Sequence, residues 1–83
     1  MKSRVFNHVA GNKVTKYLVD FCMAEFDFAS EITVNIFDAY ITVLYIDSNG
    51  IACKWGAGYD VIEWGNGTYG VMYQDFKLID TLV

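Results

Sequence analysis

The chain has one histidine, His8, and two cysteines, Cys22 and Cys53. Thiol chemistry would need a thiolate held beside an imidazole, and a zinc site would need several Cys, His or carboxylate ligands at close spacing. Neither pattern is present: His8 stands by itself near the start, and the cysteines fall in separate predicted elements. Asp60 and Glu63 have the spacing for a carboxylate pair, but carboxylates of a small acidic domain are ordinarily solvated. Lys54-Trp55-Gly56-Ala57-Gly58 and Glu63-Trp64-Gly65-Asn66-Gly67 repeat a charged-Trp-Gly-X-Gly pattern. Neither leads from a strand into a helix or ends in Lys-Ser/Thr, so neither is a phosphate loop. Their glycines read instead as suppliers of positive φ at two successive turns. Asn66-Gly67-Thr68 matches a glycosylation acceptor, a signal with meaning only in a secreted chain. The expectation is a protein that is not an enzyme and holds no metal or cofactor.

What remains is recognition, and the aromatic residues are sorted for it. Five of the six phenylalanines (Phe6, Phe21, Phe26, Phe28, Phe37) precede residue 38, where core burial is their natural role. Residues 55–73 hold Trp55, Tyr59, Trp64, Tyr69 and Tyr73 and no Phe. Tyr and Trp join an apolar body to a polar tip, which suits half-wet surfaces and interfaces. Asp60 and Glu63 lie among them, so the patch would be aromatic and acidic together. Such a patch complements Arg- or Lys-rich surfaces through ion pairs and cation–π contacts. The expected partner-binding set is Tyr45, Tyr59, Asp60, Glu63, Trp64, Tyr69 and Tyr73.

The elements that must carry these residues follow from periodicity. Residues 3–9 suit a short strand or an extended arm. Gly11-Asn12 marks a break, with Asn12 as a helix N-cap. Val14, Tyr17, Leu18, Phe21 and Cys22 then recur at helical spacing, with Lys13, Lys16 and Asp20 opposite. Because Val19 and Met23 narrow the polar stripe, the helix should be buried on more than one side. It should stop near Ala24, before Glu25 would enter the core. Alternation through residues 31–36 and the apolar run 40–46 predict two strands. Asp47-Ser48-Asn49-Gly50 predicts a hairpin turn into residues 51–55, and a second hairpin joins 59–64 to 68–73 around Gly65-Asn66-Gly67. Residues 76–82 suit a strand or a short helix.

A turn centred on Ser48-Asn49 would oppose Leu44 to Cys53 and Ile46 to Ile51, grouping these with Trp55 on one face. Ile41, Val43, Tyr45, Ala52 and Lys54 would share the other. In the second hairpin a three-residue loop opposes Val61 to Val71 and Tyr59 to Tyr73. Tyr59, Val61, Tyr69, Val71 and Tyr73 then share one face, and Ile62, Trp64 and Met72 the other. The predicted fold is α+β: one N-terminal helix packed on a four- to five-stranded antiparallel sheet. One helix covers one face, so the second must meet a partner, or the sheet must curl into a half-barrel over residues 76–83.

Composition bounds the rest. Eighty-three residues, 54% apolar and without proline, make a single domain, 1–83, and exclude intrinsic disorder. The apolar runs are far shorter than the roughly 18 residues of a membrane span. No secretory signal is visible near Lys2 and Arg4, so the expected location is cytoplasmic, with both cysteines reduced. The formal net charge is -4. Residues 1–16 contribute +4, and the rest, with two lysines and all ten acids, -8. That sign disfavours direct nucleic-acid binding and favours a basic protein surface. The expected function is a small acidic inhibitor of phage type, occluding the nucleic-acid-handling surface of a host protein such as a defence nuclease complex, in the manner of anti-CRISPR or anti-restriction proteins. Two other readings stay open: a sugar or nucleobase module stacking ligand on Trp55 and Trp64, and a self-associating subunit such as a homodimer.

Overall fold

The computed structural model describes residues 2–81, with side chains through residue 73. Its elements are β1 (Ser3–His8), α1 (Thr15–Glu25), β2 (Glu31–Phe37), β3 (Tyr40–Ile46), β4 (Ala52–Glu63) and β5 (Tyr69–Thr81). The strands lie side by side in chain order as one open, mixed sheet, and α1 packs on one face. The α+β class is as expected, but two details differ. The helix follows the first strand, and β1 runs parallel to β2, with Ser3 opposite Glu31 and His8 opposite Ile36. Parallel neighbours need a crossover of about a dozen residues or more, and the segment carrying α1 supplies it. Among the described residues β1 and β5 do not pair, so the sheet is not closed. Residues 76–81 continue β5; residues 82 and 83 lie outside the described residues.

The helix sets the core. Val14, Leu18 and Cys22 recur every four residues and are fully buried, because that spacing stacks side chains on one helix face. They meet Ile32, Val34 and Ile36 of β2, Ile41 and Val43 of β3, and Ala57 and Tyr59 of β4. Asn12 is not the N-cap. Its Oδ1 accepts the Val14 N–H at 2.8 Å and its carbonyl accepts the Thr15 hydroxyl at 3.3 Å, organising the turn before the helix. The helix runs one residue past Ala24: the buried stripe steps from Cys22 to Phe26 and leaves Glu25 exposed. Tyr17 and Met23 also face outward, so α1 is buried on one side only.

The first hairpin corrects the predicted register by one residue. Asp47 and Ile51 close a three-residue loop: the Asp47 N–H donates to the Ile51 carbonyl, and Asp47 Oδ1 accepts the N–H groups of Asn49 and Ile51. Gly50 takes φ +79°, which completes that loop at no Cβ cost. Tyr45 therefore opposes Cys53, Leu44 opposes Lys54 and Ile46 opposes Ala52. A one-residue slip moves a whole strand's side chains to the other face. Cys53 and Trp55 accordingly join Val43 and Tyr45 under the helix, and Lys54 joins Leu44 on the far face.

Residues 51–55 and 59–64 are not separate strands with a glycine turn between them. Gly56-Ala57-Gly58 lies inside continuous β4, and the two register irregularities of β5 fall opposite residues 54–58. Positive φ occurs instead at Gly65 and Gly67, in the second hairpin. That hairpin has the predicted register, Val61 opposite Val71 and Tyr59 opposite Tyr73.

Candidate functional site: the outer β4–β5 arm

Strand length creates the candidate surface. β3 reaches along β4 only to Gly58, so the outer parts of β4 and β5 pair with each other alone and project as a two-stranded arm. The molecule is correspondingly long, 44 × 26 × 19 Å. At the tip, Trp64 N–H donates to the Thr68 carbonyl at 3.1 Å across Gly65-Asn66-Gly67. Asn66 Oδ1 accepts the Thr68 N–H and hydroxyl, which ties the turn to its own side chain.

The seven predicted contact residues divide between this arm and the interior. Tyr59 is interior, with 2% of its surface exposed. Its hydroxyl donates to the Phe37 carbonyl and accepts from Asn12 Nδ2 at 2.9 Å, so it joins β4 to the β2–β3 turn and to the segment before α1. Tyr73 stacks on Phe21 at 4.6 Å between centroids, and burial pushes its phenol up to about 12. Tyr45 packs 5.0 Å from Phe26 and 5.7 Å from Phe28; burial, then the Cys53 thiol beside it, raises its phenol above the ordinary tyrosine value. Tyr45 and Tyr73 belong to one aromatic layer with Phe21, Phe26 and Trp55, which also meets Phe26 edge-on at 5.5 Å. The predicted division into a Phe core and a Tyr/Trp surface does not hold, because strand register rather than ring chemistry decides which rings the helix covers.

The other four gather on the arm. Tyr69 accepts a hydrogen bond from Lys13 Nζ at 3.0 Å, and the ammonium lies 5.0 Å from the ring centre. The Tyr69 contact, with Glu63 adding a smaller attraction, raises the Lys13 pKa above its usual value. Glu63 is exposed on the helix side; Asp60 is exposed on the far side. Trp64 is 62% exposed and lies across Gly70, where an added Cβ would sit 3.0 Å from its indole Nε1. Val61 and Met72, 50% and 56% exposed, complete the surface and were absent from the predicted set. Their signal was available: both stand on the hairpin beyond the reach of the short third strand. Lys13 had no such signal, since nothing local in the sequence places it against Tyr69.

The arm is thus apolar on both sides, rimmed by Asp60 and Glu63, and held at its base by Asn12 through Tyr59 and near its tip by Lys13 through Tyr69. Trp55 and Trp64 lie on opposite faces of the sheet, so they do not enclose a common ligand. Two hollows among the described residues, of about 150 and 170 Å³, are lined by neither tryptophan. Both are smaller than the roughly 300 Å³ at which small-molecule sites begin. Among the described residues no cluster of three His, Cys, Asp or Glu is gathered, and no helix is long and apolar enough to cross a membrane. No family model, curated protein or solved structure matches the chain.

Proposed function

We propose that this chain is a non-enzymatic protein-binding module that lays its β4–β5 arm against a basic surface of a protein partner. The observation that carries the reading is the exposure of Val61, Trp64 and Met72 on a projecting ribbon flanked by Asp60 and Glu63. Large apolar side chains on a small monomer are commonest where a partner covers them, and a rim of one charge sign steers the encounter. Trp is the residue type most often found to dominate binding when it fills a partner's pocket. Proteins that hold nucleic acid present Lys- and Arg-rich surfaces to phosphate. A net -4 chain that covers such a surface would inhibit its partner by occlusion, without binding nucleic acid itself.

The test is affinity capture from host lysate with the wild-type chain, the Trp64→Ala chain and a Val61→Ser, Trp64→Ala double variant. The wild type should retain a specific basic protein, salt should weaken the retention, and the double variant should lose it while keeping its circular dichroism. Equal retention by the folded double variant would overturn the assignment of the arm.

A further inference from the structure

The sheet has two outer edges, and they are guarded differently. An open strand edge presents unpaired backbone groups that recruit another strand unless charge, shortness or irregularity prevents it. The β1 edge is six residues long and carries Arg4 and His8, with Lys2 just before it. The inner half of β5 carries two register irregularities and, in sequence, Asp75, Lys77 and Asp80. Tyr69-Gly70-Val71-Met72-Tyr73 has no charge, no proline and no irregularity in its pairing.

Backbone direction follows from the hairpin closure. Hydrogen-bonded and non-bonded pairs alternate along an antiparallel ladder. The Trp64 N–H to Thr68 carbonyl bond makes the pair at Thr68 a bonded one, so Gly70 and Met72 turn toward β4. Tyr69 and Val71 therefore direct N–H and C=O outward. The Tyr59 N–H, which leaves β5 to reach the Ala39 carbonyl, agrees with this alternation.

We infer that this stretch of β5 pairs antiparallel with the same stretch of a second copy, about a two-fold axis through Val71, to form a continuous ten-stranded sheet. The sequence is self-complementary in that register. Val71 opposes its own copy, Tyr69 opposes Tyr73 of the second copy, and Gly70 opposes Met72. The last pairing is specific, because Gly70 leaves a gap over which the Trp64 indole lies. Met72 of the second copy reaches that indole from the other side, a thioether–aromatic contact. The charge pattern favours a copy over an arbitrary strand: a -4 chain can approach its duplicate closely only where no acid meets an acid, and residues 69–73 are neutral. A closed two-fold contact of this kind uses one patch on both subunits and does not propagate into fibres.

Light scattering across a dilution series of the full chain tests the inference, and needs no other partner, so its outcome is separate from that of the capture experiment. The mass should rise from the 9.4 kDa of one chain to twice that value as concentration increases. Val71→Pro removes an outward N–H, which an edge strand tolerates, and Met72→Lys adds an edge charge. Both should hold the single-chain mass at every concentration with unchanged circular dichroism. The Val71 amide should also exchange more slowly in concentrated than in dilute wild-type protein. A single-chain mass at the highest soluble concentration overturns the inference. So does a doubled mass retained by folded Met72→Lys, even if Val71→Pro fails to fold.

Discussion

Tyr59 and Trp64 bracket the outer part of the same strand, yet one is 2% exposed and the other 62%. The difference lies in what stands behind them. Tyr59 sits where β3, α1 and the β2–β3 turn converge, and its hydroxyl is bonded on two sides. Trp64 sits where only β5 remains, and its ring rests on a glycine. Rings of similar size and polarity thus do opposite work. In the helix-backed body they fill the core; on the arm they form a surface. The turns make the same contrast. The arm places Gly65 and Gly67 at positive φ, whereas the body's β2–β3 turn places Ala39 there, at φ +63°, and uses its carbonyl to hold the Tyr59 N–H.

If this division is right, mutations should separate cleanly by region. Leu18→Ala should cost about 2–5 kcal/mol, read by urea unfolding, because a fully buried leucine leaves a cavity between helix and sheet. An effect below about 1 kcal/mol would mean that the helix is not what stabilises the body. Alkali should act on the body as well. Burial raises Cys22 from 9.0 and Tyr73 from 10.0 to about 12, so the folded state favours their protonated forms. Their contribution is complete below about pH 9 and is lost as pH rises toward 12. Stability measured by urea titration should fall across that window, and Cys22→Ala should flatten the fall. Tyr59→Phe should cost about 1–3 kcal/mol, since it leaves the Phe37 carbonyl and the Asn12 amide without the hydroxyl they share. Ala39→Gly should raise stability by up to about 1 kcal/mol, by removing a left-handed Cβ. Trp64→Ala should change stability least, within about 0.5 kcal/mol, as befits an exposed side chain outside the core. A large loss there would show that the arm is part of the body after all.

The second hairpin was legible because its signals are local. Gly65-Asn66-Gly67 fixes the loop length, and loop length fixes which residues oppose. The first hairpin lies one residue from the expected register because Asp47-Ser48-Asn49-Gly50 allows more than one loop, and the choice rests on Asp47 Oδ1 gathering two backbone N–H groups. That single slip moved Cys53 and Trp55 to the wrong face. The parallel pairing of β1 depends on contacts between residues far apart in sequence, which periodicity cannot carry; the intervening helix was its only trace. For the site, Asp60, Glu63, Trp64 and Tyr69 were recognisable from residue type. The burial of Tyr45, Tyr59 and Tyr73 depends on where the helix lands. The exposure of Val61 and Met72 depends on where β3 stops.

The opposite placement of the two indoles also makes the molecule its own optical gauge. Trp55 emits from among phenylalanine rings under the helix, and Trp64 from the solvent side of the arm. An aqueous quencher should reach the second far more readily than the first. Emission from Trp64 would then follow events on the arm, while that from Trp55 followed the integrity of the body, so docking and unfolding could be watched separately without any added label.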